Sequence, residues 1–270
     1  MEILSPQNAR VKEWASLLEK KHRDQKKKYI VEGIHLVQEA IKNDTVIECV
    51  CYDIDAGIPA ELVPLSGSRL DVQWIAVSSA VITKCTEVKA PQPIFAVSHK
   101  ANANEHEDTL QGLIAKRNSL VLVLDGVQDP GNVGTLIRSA DAVGADGVIL
   151  GAGCADLYSP KVIRSTMGSI FHLPVLQGNL GEVLPQAKEQ GIRLAGTSLQ
   201  AAVNCYSYDF TQSVWLLMGS EAKGLSDEVL SLMDAGLIIP MHGQSESLNV
   251  AMAGSVLLYE ALRQRAYSNR

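Results

Sequence analysis

The sequence holds no apolar run near the ~20 residues that a membrane-spanning helix needs. Its opening stretch, MEILSPQNARVKEW, contains no apolar core of the signal-peptide type, so a cytoplasmic location is expected. Cysteine is scarce and odd in number: Cys49, Cys51, Cys85, Cys154 and Cys205. No two have C-x-x-C spacing, and the one close pair, Cys49 and Cys51, sits in the strand-like run IECVCYDI. Reduced thiols buried as small hydrophobes are expected, with no metal site. The glycine pattern G-x-G-x-x-G is missing too, which argues against a dinucleotide-binding oxidoreductase. Internal repeats and low-complexity tracts are absent.

What is present is an ordinary globular balance, 46% apolar and 20% charged over 270 residues, enough for two domains or one large one. The net charge of −6 argues weakly against a polyanionic partner, but charge is unevenly placed. Between Arg10 and Lys28, eight basic residues face three acidic ones, a local +5. Two readings stand for this segment: a solvated helix face followed by a basic loop, or an arm that contacts phosphates.

The apolar periodicity outlines two α/β regions. Residues 6–22 read as one helix with Val11, Trp14, Leu17 and Leu18 on a face. A strand at Ile30–Val31 leads into a helix carrying Ile34, Val37 and Ile41. Residues 45–54, 69–78 and 93–100 read as strands, with a short helix in SSAVITKCTEV. The polar, acidic stretch ANANEHEDT (101–109) reads as a linker. The boundaries drawn are a first domain over 1–100, a linker over 101–116 and a second domain over 117–270. In the second, SLVLVLDGV, DGVILG, HLPVL, IRLAGTSL, VWLLMGS and GLIIPM are strands apolar throughout, and helices alternate with them. This implies a parallel sheet covered on both faces. A long helix over 248–267 closes the chain, with Ser247 as its cap.

Ligands of open α/β sheets bind beyond the carboxyl ends of strands. Three segments in such places stand out. After the first strand, DGVQDPGNVGTLIR puts glycines and Asn132 at a helix start, with Arg138 six residues further. As an ordinary turn it has Asn132 as helix cap and Arg138 as surface charge. After VWLLMG, the loop Gly219-Ser220-Glu221 offers a residue that permits close approach by a ligand and a carboxylate acceptor. After GLIIPM, a polar loop runs through Ser247-Leu248-Asn249 into the last helix. As simple turns and a capped helix, each has a structural explanation on its own.

Taken in order over about 150 residues, NVGTLIR, LLMGSEAKGLS and IPMHGQSESLNVAMA resemble the three motifs of the SpoU/TrmH family of RNA 2′-O-ribose methyltransferases, in the SPOUT superfamily. The resemblance implies a C-terminal α/β domain with a deep trefoil knot, and S-adenosylmethionine as cofactor. It implies cofactor contacts at Gly219, Glu221, Ile239 and Leu248. Arg138 would serve the ribose hydroxyl, as base or as electrostatic stabiliser, with Asn132, Ser247 and Asn249 orienting it. It also implies a homodimer, with Val250, Val256 and Leu257 of the last helix contributing to its interface. Ala222 stands where many relatives have glycine, and it needs only ordinary backbone. The run YIVEGIHLVQEAI resembles the opening of the small ribosomal-protein-like RNA-binding domain found in many such enzymes. RNA contacts are thus expected at Lys26, Lys27, Lys28, Lys161 and Arg164, though solvated charges would explain the last two equally. Large-subunit ribosomal RNA is the expected substrate. A tRNA methyltransferase, or a non-catalytic RNA-binding or ribosome-assembly factor on the same scaffold, are the alternatives.

Overall fold

The computed structural model describes residues 1–67, 69, 71–197 and 203–267, so Leu70, Ser198 and Leu199 of two expected strands lie outside the described residues. In chain order the elements are β1 (Glu2–Ile3), α1 (Ala9–Ser16), α2 (Lys20–Lys26), β2 (Lys28–Glu32), α3 (Ile34–Lys42), β3 (Ile47–Asp53), α4 (Val63–Ser66), β4 (Gln73–Val77), α5 (Ser79–Cys85) and β5 (Ile94–His99). There follow α6 (Ala103–Ala115), β6 (Leu120–Asp125), α7 (Pro130–Ala142), β7 (Gly147–Leu150), α8 (Pro160–Thr166), β8 (Val175–Gln177), α9 (Leu180–Glu189), β9 (Arg193–Thr197), β10 (Val203–Asn204), β11 (Val214–Gly219), α10 (Asp227–Leu232), β12 (Ala235–Ile238) and α11 (Val250–Tyr267). No helix among the described residues is long and apolar enough to cross a membrane.

The chain divides into two compact units. The first comprises Met1–Ala101 together with Asp156–His172, so its last part comes from the middle of the expected second domain. Its five-stranded sheet has the order β1-β4-β3-β5-β2, parallel from β1 to β3 and antiparallel at β5 and β2. Successive residues of β5 alternate between two cores, as a pleated strand requires. Phe95 and Val97 join Trp14, Leu17, Ile75 and Val81 on one face. Ile94 and Ala96 join Val31, Val37, Ile41 and Ile163 on the other. A bulge between Ile47 and Cys49 moves Ile47 to the face opposite Cys49. Four of the five cysteines are buried, as expected, and burial pushes the Cys85 thiol up to about 12, which keeps it protonated at neutral pH.

The single helix expected over 6–22 is two helices, and the basic stretch expected as a loop is α2. Arg23 explains the break. It is buried, and its Nη1 donates to the carbonyls of Leu17 and Leu18, both at 2.7 Å, closing the end of α1. Its Nε donates to Asp156 at 3.2 Å, and Nη2 reaches the same oxygen. The pair thus pins the start of the 156–172 segment, which continues into α8 with Ser159 as cap and Pro160 at the first position, as expected. Breaking a buried pair on one side strands the other charge, at a cost of about 3–5 kcal/mol. Arg23→Ala is therefore expected to lower the stability of the first unit by that order in urea denaturation, and to speed amide exchange over 157–166. An unchanged midpoint together with unchanged exchange would show that apolar packing alone holds the segment.

The second unit comprises Asn102–Ala155 and Leu173–Arg270. Its seven strands are all parallel, in the order β10-β12-β9-β11-β6-β7-β8. The stretch expected as a linker is helix α6 of this unit. Asn102 and Glu105 form a capping box, and Leu110, Leu113 and Ile114, beyond the acidic window, bury the helix against the sheet. Val121, Val123, Trp215 and Leu217 face α9 and α10. On α11, Gly254 is needed for close packing, since a Cβ there would meet Leu136 of α7 at 2.3 Å. Arg265 holds the end of α11 by donating to the carbonyls of Phe210, Asn118, Ser119 and Gln212.

Candidate active site

The strand order reverses at β6. From it the chain builds outward through β7 and β8 on one side, then returns to place β11, β9, β12 and β10 on the other. The crevice outside the carboxyl ends of the strands at such a reversal is where open α/β sheets bind ligands. Here it lies beyond β6 and β11, whose last residues, Asp125 and Gly219, are in register. All three sequence motifs emerge at carboxyl ends in this half of the sheet, after β6, β11 and β12.

Helix α7 is capped by Asp129, whose side chain accepts from the Asn132 N–H at 2.9 Å, with Pro130 next in line. Asn132 is therefore not the cap, and its amide is free for another role. It donates to Glu221 Oε1 at 2.6 Å, and its own Oδ1 accepts from Asn249 Nδ2 at 3.1 Å. Asn249 in turn accepts from the N–H groups of Ala251 (2.9 Å) and Met252 (3.3 Å), so it, rather than Ser247, caps α11. The result is one directed chain: helix amides to Asn249, Asn249 to Asn132, Asn132 to the Glu221 carboxylate. It ties the three motif loops together, and each amide orientation is fixed by its two partners.

Gly219 earns its place differently from the expectation. A Cβ there would stand 2.1 Å from the Gly224 carbonyl carbon and 2.2 Å from the Leu225 nitrogen, so the close approach is by the chain's own backbone. Ser220 and Gly224 exchange N–H···O bonds at 2.9 Å, which makes 219–225 a tight closed loop that presents Glu221. Asp125 braces it by accepting from the Ser226 N–H at 2.6 Å. Neither Asp125 nor Asp129 was singled out in the sequence. The signal for Asp129 was there, since Asp129-Pro130 has the same cap-then-proline form as Ser159-Pro160.

Among the remaining expected site residues, Arg138 is exposed on α7, and no hydrogen bond or ion pair engages its guanidinium among the described residues. Ile239, the residue after β12, is half-buried, and Ser247 and Leu248 are exposed. Residues 240–248 make no backbone–backbone hydrogen bond among the described residues, so their main-chain groups are open to a ligand. The structure thus joins Asn132, Glu221 and Asn249 directly, and leaves Arg138, Ser247 and Leu248 uncommitted around them.

The expected RNA contacts divide. Lys27 and Lys161 are exposed, and no ion pair engages them among the described residues. Lys26 and Lys28 instead reach Glu13, and Lys28 also Glu48. Arg164 is held by Glu32 at 2.7 Å and Glu87 at 2.9 Å, so it is a bridging residue of the first unit rather than part of a basic surface on the second. A hydrogen bond from Lys100, aided by Lys20, holds the Asp24 carboxyl down at about 2. Glu48 and Asp156, which lie outside the counted stretch, pair with Lys28 and Arg23 and so offset part of the local +5.

This fold and this convergence of loops define a methyltransferase of the SpoU class, and the chain belongs to the SpoU rRNA methylase family, which matches residues 119–259. An MRM3-like substrate binding domain matches residues 8–96. The chain is 36% identical over 258 residues to the 23S rRNA (guanosine(2553)-2'-O)-methyltransferase RlmP of Bacillus subtilis, covering 96% of this chain and 98% of the relative. The SpoU methyltransferase AviRb of Streptomyces viridochromogenes, solved in complex with AdoMet, superposes with a TM-score of 0.88 at 33% identity, covering 98% of this chain and all of that one. An AdoMet-bound rRNA methyltransferase from Sinorhizobium meliloti superposes with a TM-score of 0.84 at 32% identity over 99% of both chains.

Proposed function

We propose that this protein transfers a methyl group from S-adenosylmethionine to a ribose 2′-hydroxyl of large-subunit ribosomal RNA. The observation that carries the reading is the hydrogen-bonded chain Glu221–Asn132–Asn249, which joins the three motif loops beyond the carboxyl ends of β6, β11 and β12. The match to rRNA-modifying relatives over nearly the whole chain favours ribosomal RNA over tRNA.

The residues present fit the cofactor. The closed loop 219–225 and the open main-chain groups of 240–248 form one edge of the crevice, flanked by the apolar side chains of Ile239 and Leu248. Gly219, Ile239 and Leu248 would hold the cofactor from these loops, and Glu221 shapes the wall. When bound, S-adenosylmethionine supplies an activated methyl group whose leaving thioether is neutral, so no acid is needed on that side. The demand falls on the ribose hydroxyl, a poor nucleophile that must be placed in line and lose a proton. Arg138 acts through the fixed charge of its guanidinium. It binds the phosphate beside the target ribose and stabilises the alkoxide as it forms, the hydroxyl proton passing to solvent water. Asn132 and Asn249, held by their mutual hydrogen bond, and the exposed Ser247 position the ribose.

The first unit grips the RNA, with Lys27 and Lys161 as free cations for phosphates. The second unit is threaded as the deep trefoil knot, a reading supported by its likeness to solved SpoU structures. The protein is a homodimer in the cytoplasm. Met252, Val256 and Tyr259 recur at helical spacing on α11, with Met252 56% and Tyr259 54% exposed, and a second copy would cover them. Val250 and Leu257 are buried within one copy and so belong to its own core. Ribose-methylation mapping of total RNA from a strain lacking the protein is expected to show one missing mark in large-subunit rRNA. A missing tRNA mark would move the substrate, and an unchanged profile would favour a non-catalytic assembly factor.

A further inference from the structure

The first unit contains a cavity of about 340 Å³ that the methyl-transfer reading does not use. It lies where β2 ends and α3 begins, and its walls are Leu36, Val88, Pro91 and Ile94. The floor is a closed ionic cluster. Glu32 is 6% exposed, and it accepts from the Glu87 N–H and from Arg164 Nη1, both at 2.7 Å. Arg164 Nη2 donates to the Glu87 carboxylate at 2.9 Å. Two carboxylates therefore surround one guanidinium, and an anion such as a phosphate is repelled from this floor.

The remaining lining is of another kind. Arg164 lines the cavity, its planar guanidinium held in place by the two carboxylates. His35 and Met167 stand at the rim, linked by the His35 Nε2 contact to the Met167 carbonyl at 3.1 Å, and both side chains are exposed. Gln92 uses its Oε1 to accept the Ile34 N–H at 2.7 Å, which leaves its amide N–H groups to donate elsewhere. The N–H groups of His35 and Leu36, in the first turn of α3, have no partner among the described residues. Apolar walls, a flat cation, an imidazole and a few edge donors, with no net positive charge, suit a flat neutral heterocycle that stacks on its faces and hydrogen-bonds on its rim. The cavity lies at the lower end of the roughly 300–1,000 Å³ typical of small-ligand sites, a size that suits one nucleoside.

We infer that this cavity captures one unpaired nucleobase of the RNA substrate. Protein recognition of RNA sequence works mainly through splayed-out bases stacked on aromatic rings or arginine planes. Arg164 and Met167 come from the segment inserted between β7 and β8, so the cavity is completed by chain that leaves and re-enters the second unit. Its base specificity is therefore built jointly by both parts of the sequence. The inference rests on the RNA reading above only for the source of the base.

The full-length protein, labelled with 13C at the methionine methyls, is titrated with adenosine, guanosine, cytidine and uridine. The Met167 signal, assigned with Met167→Leu, is expected to shift saturably with at least one of them. Ala90→Trp fills the mouth from an exposed position at the rim. It is expected to abolish that shift and to weaken binding of a large-subunit rRNA transcript at least tenfold, with S-adenosylmethionine affinity unchanged. His35→Ala, a smaller change at an exposed position, is expected to weaken both nucleoside and RNA binding three- to tenfold, which guards against misfolding of the tryptophan variant. Absence of any Met167 shift with all four nucleosides would overturn the proposal. So would a shift accompanied by RNA affinity within twofold of the unaltered protein in both variants, because the base captured would then not be the substrate's. Failure of the unaltered protein to bind or methylate rRNA would instead count against the proposed function, and the nucleoside titration decides the cavity regardless.

Discussion

Replacing Arg138 by alanine is expected to slow methyl transfer by about 10²–10³-fold, the loss seen when one group aimed at a developing oxyanion is removed. The affinity for S-adenosylmethionine should stay within about twofold, since the loops assigned to the cofactor do not include α7. The side chain is exposed and unengaged, so its removal leaves no buried partner stranded and the fold should be unaffected. Arg138→Lys is expected to recover only part of the rate, because an ammonium keeps the charge but not the planar fork that grips a phosphate. Single-turnover assays on an rRNA transcript, with calorimetry for the cofactor, separate the two effects. An unchanged rate with intact cofactor binding would remove Arg138 from the mechanism.

Gly219→Ala is expected to be the most damaging single-methyl change in the site. The added carbon would lie 2.1–2.4 Å from three backbone atoms of Gly224 and Leu225, which cannot rotate away as a side chain can. The loop must open, and the Ser220–Gly224 bonds and the aim of Glu221 toward Asn132 go with it. Overpacking of this kind costs about 1–3 kcal/mol or more, and cofactor affinity should fall at least tenfold. Gly224→Ala makes a control five residues away. Gly224 has φ +69° with open space around it, so an alanine there meets only backbone strain, on the order of 1 kcal/mol. Thermal unfolding and calorimetry should rank Gly219→Ala as the worse variant in both measures. Equal effects would mean that the crowding at Gly219 relaxes freely.

Much of this architecture is legible along the chain, because the signals concerned are local. The apolar runs ending in Asp125, Gly219 and Ile238 are strands at the places expected, and the cap-then-proline pair at Ser159-Pro160 begins a helix. Where reading failed, a distant partner outweighed the local pattern. Arg23 reads as one more surface charge in a basic stretch, yet it is buried because Asp156, 133 residues away, and two helix-end carbonyls satisfy it. The acidic stretch before Leu110 reads as a linker because it has no apolar period of its own, and the anchors Leu110, Leu113 and Ile114 that follow within 101–116 bury themselves against a sheet that only the fold supplies. Arg164 reads as a phosphate contact, yet Glu32 and Glu87 hold it.

By itself the sequence determined the class of fold, the three motif loops and the chemistry they resemble, since strand periodicity, turn residues and motif spacing are properties of neighbours in the chain. Only the tertiary structure decided which amides Asn132 and Asn249 serve, why position 219 must be glycine, and that residues 156–172 complete the first unit. The partners of Asn132 and the place of 156–172 depend on atoms brought together across 80 or more residues, and the limit at 219 depends on how the 219–225 loop folds back on itself. Distant hydrogen-bond partners and the crowding inside a closed loop arise from packing, which a pattern of neighbours does not record.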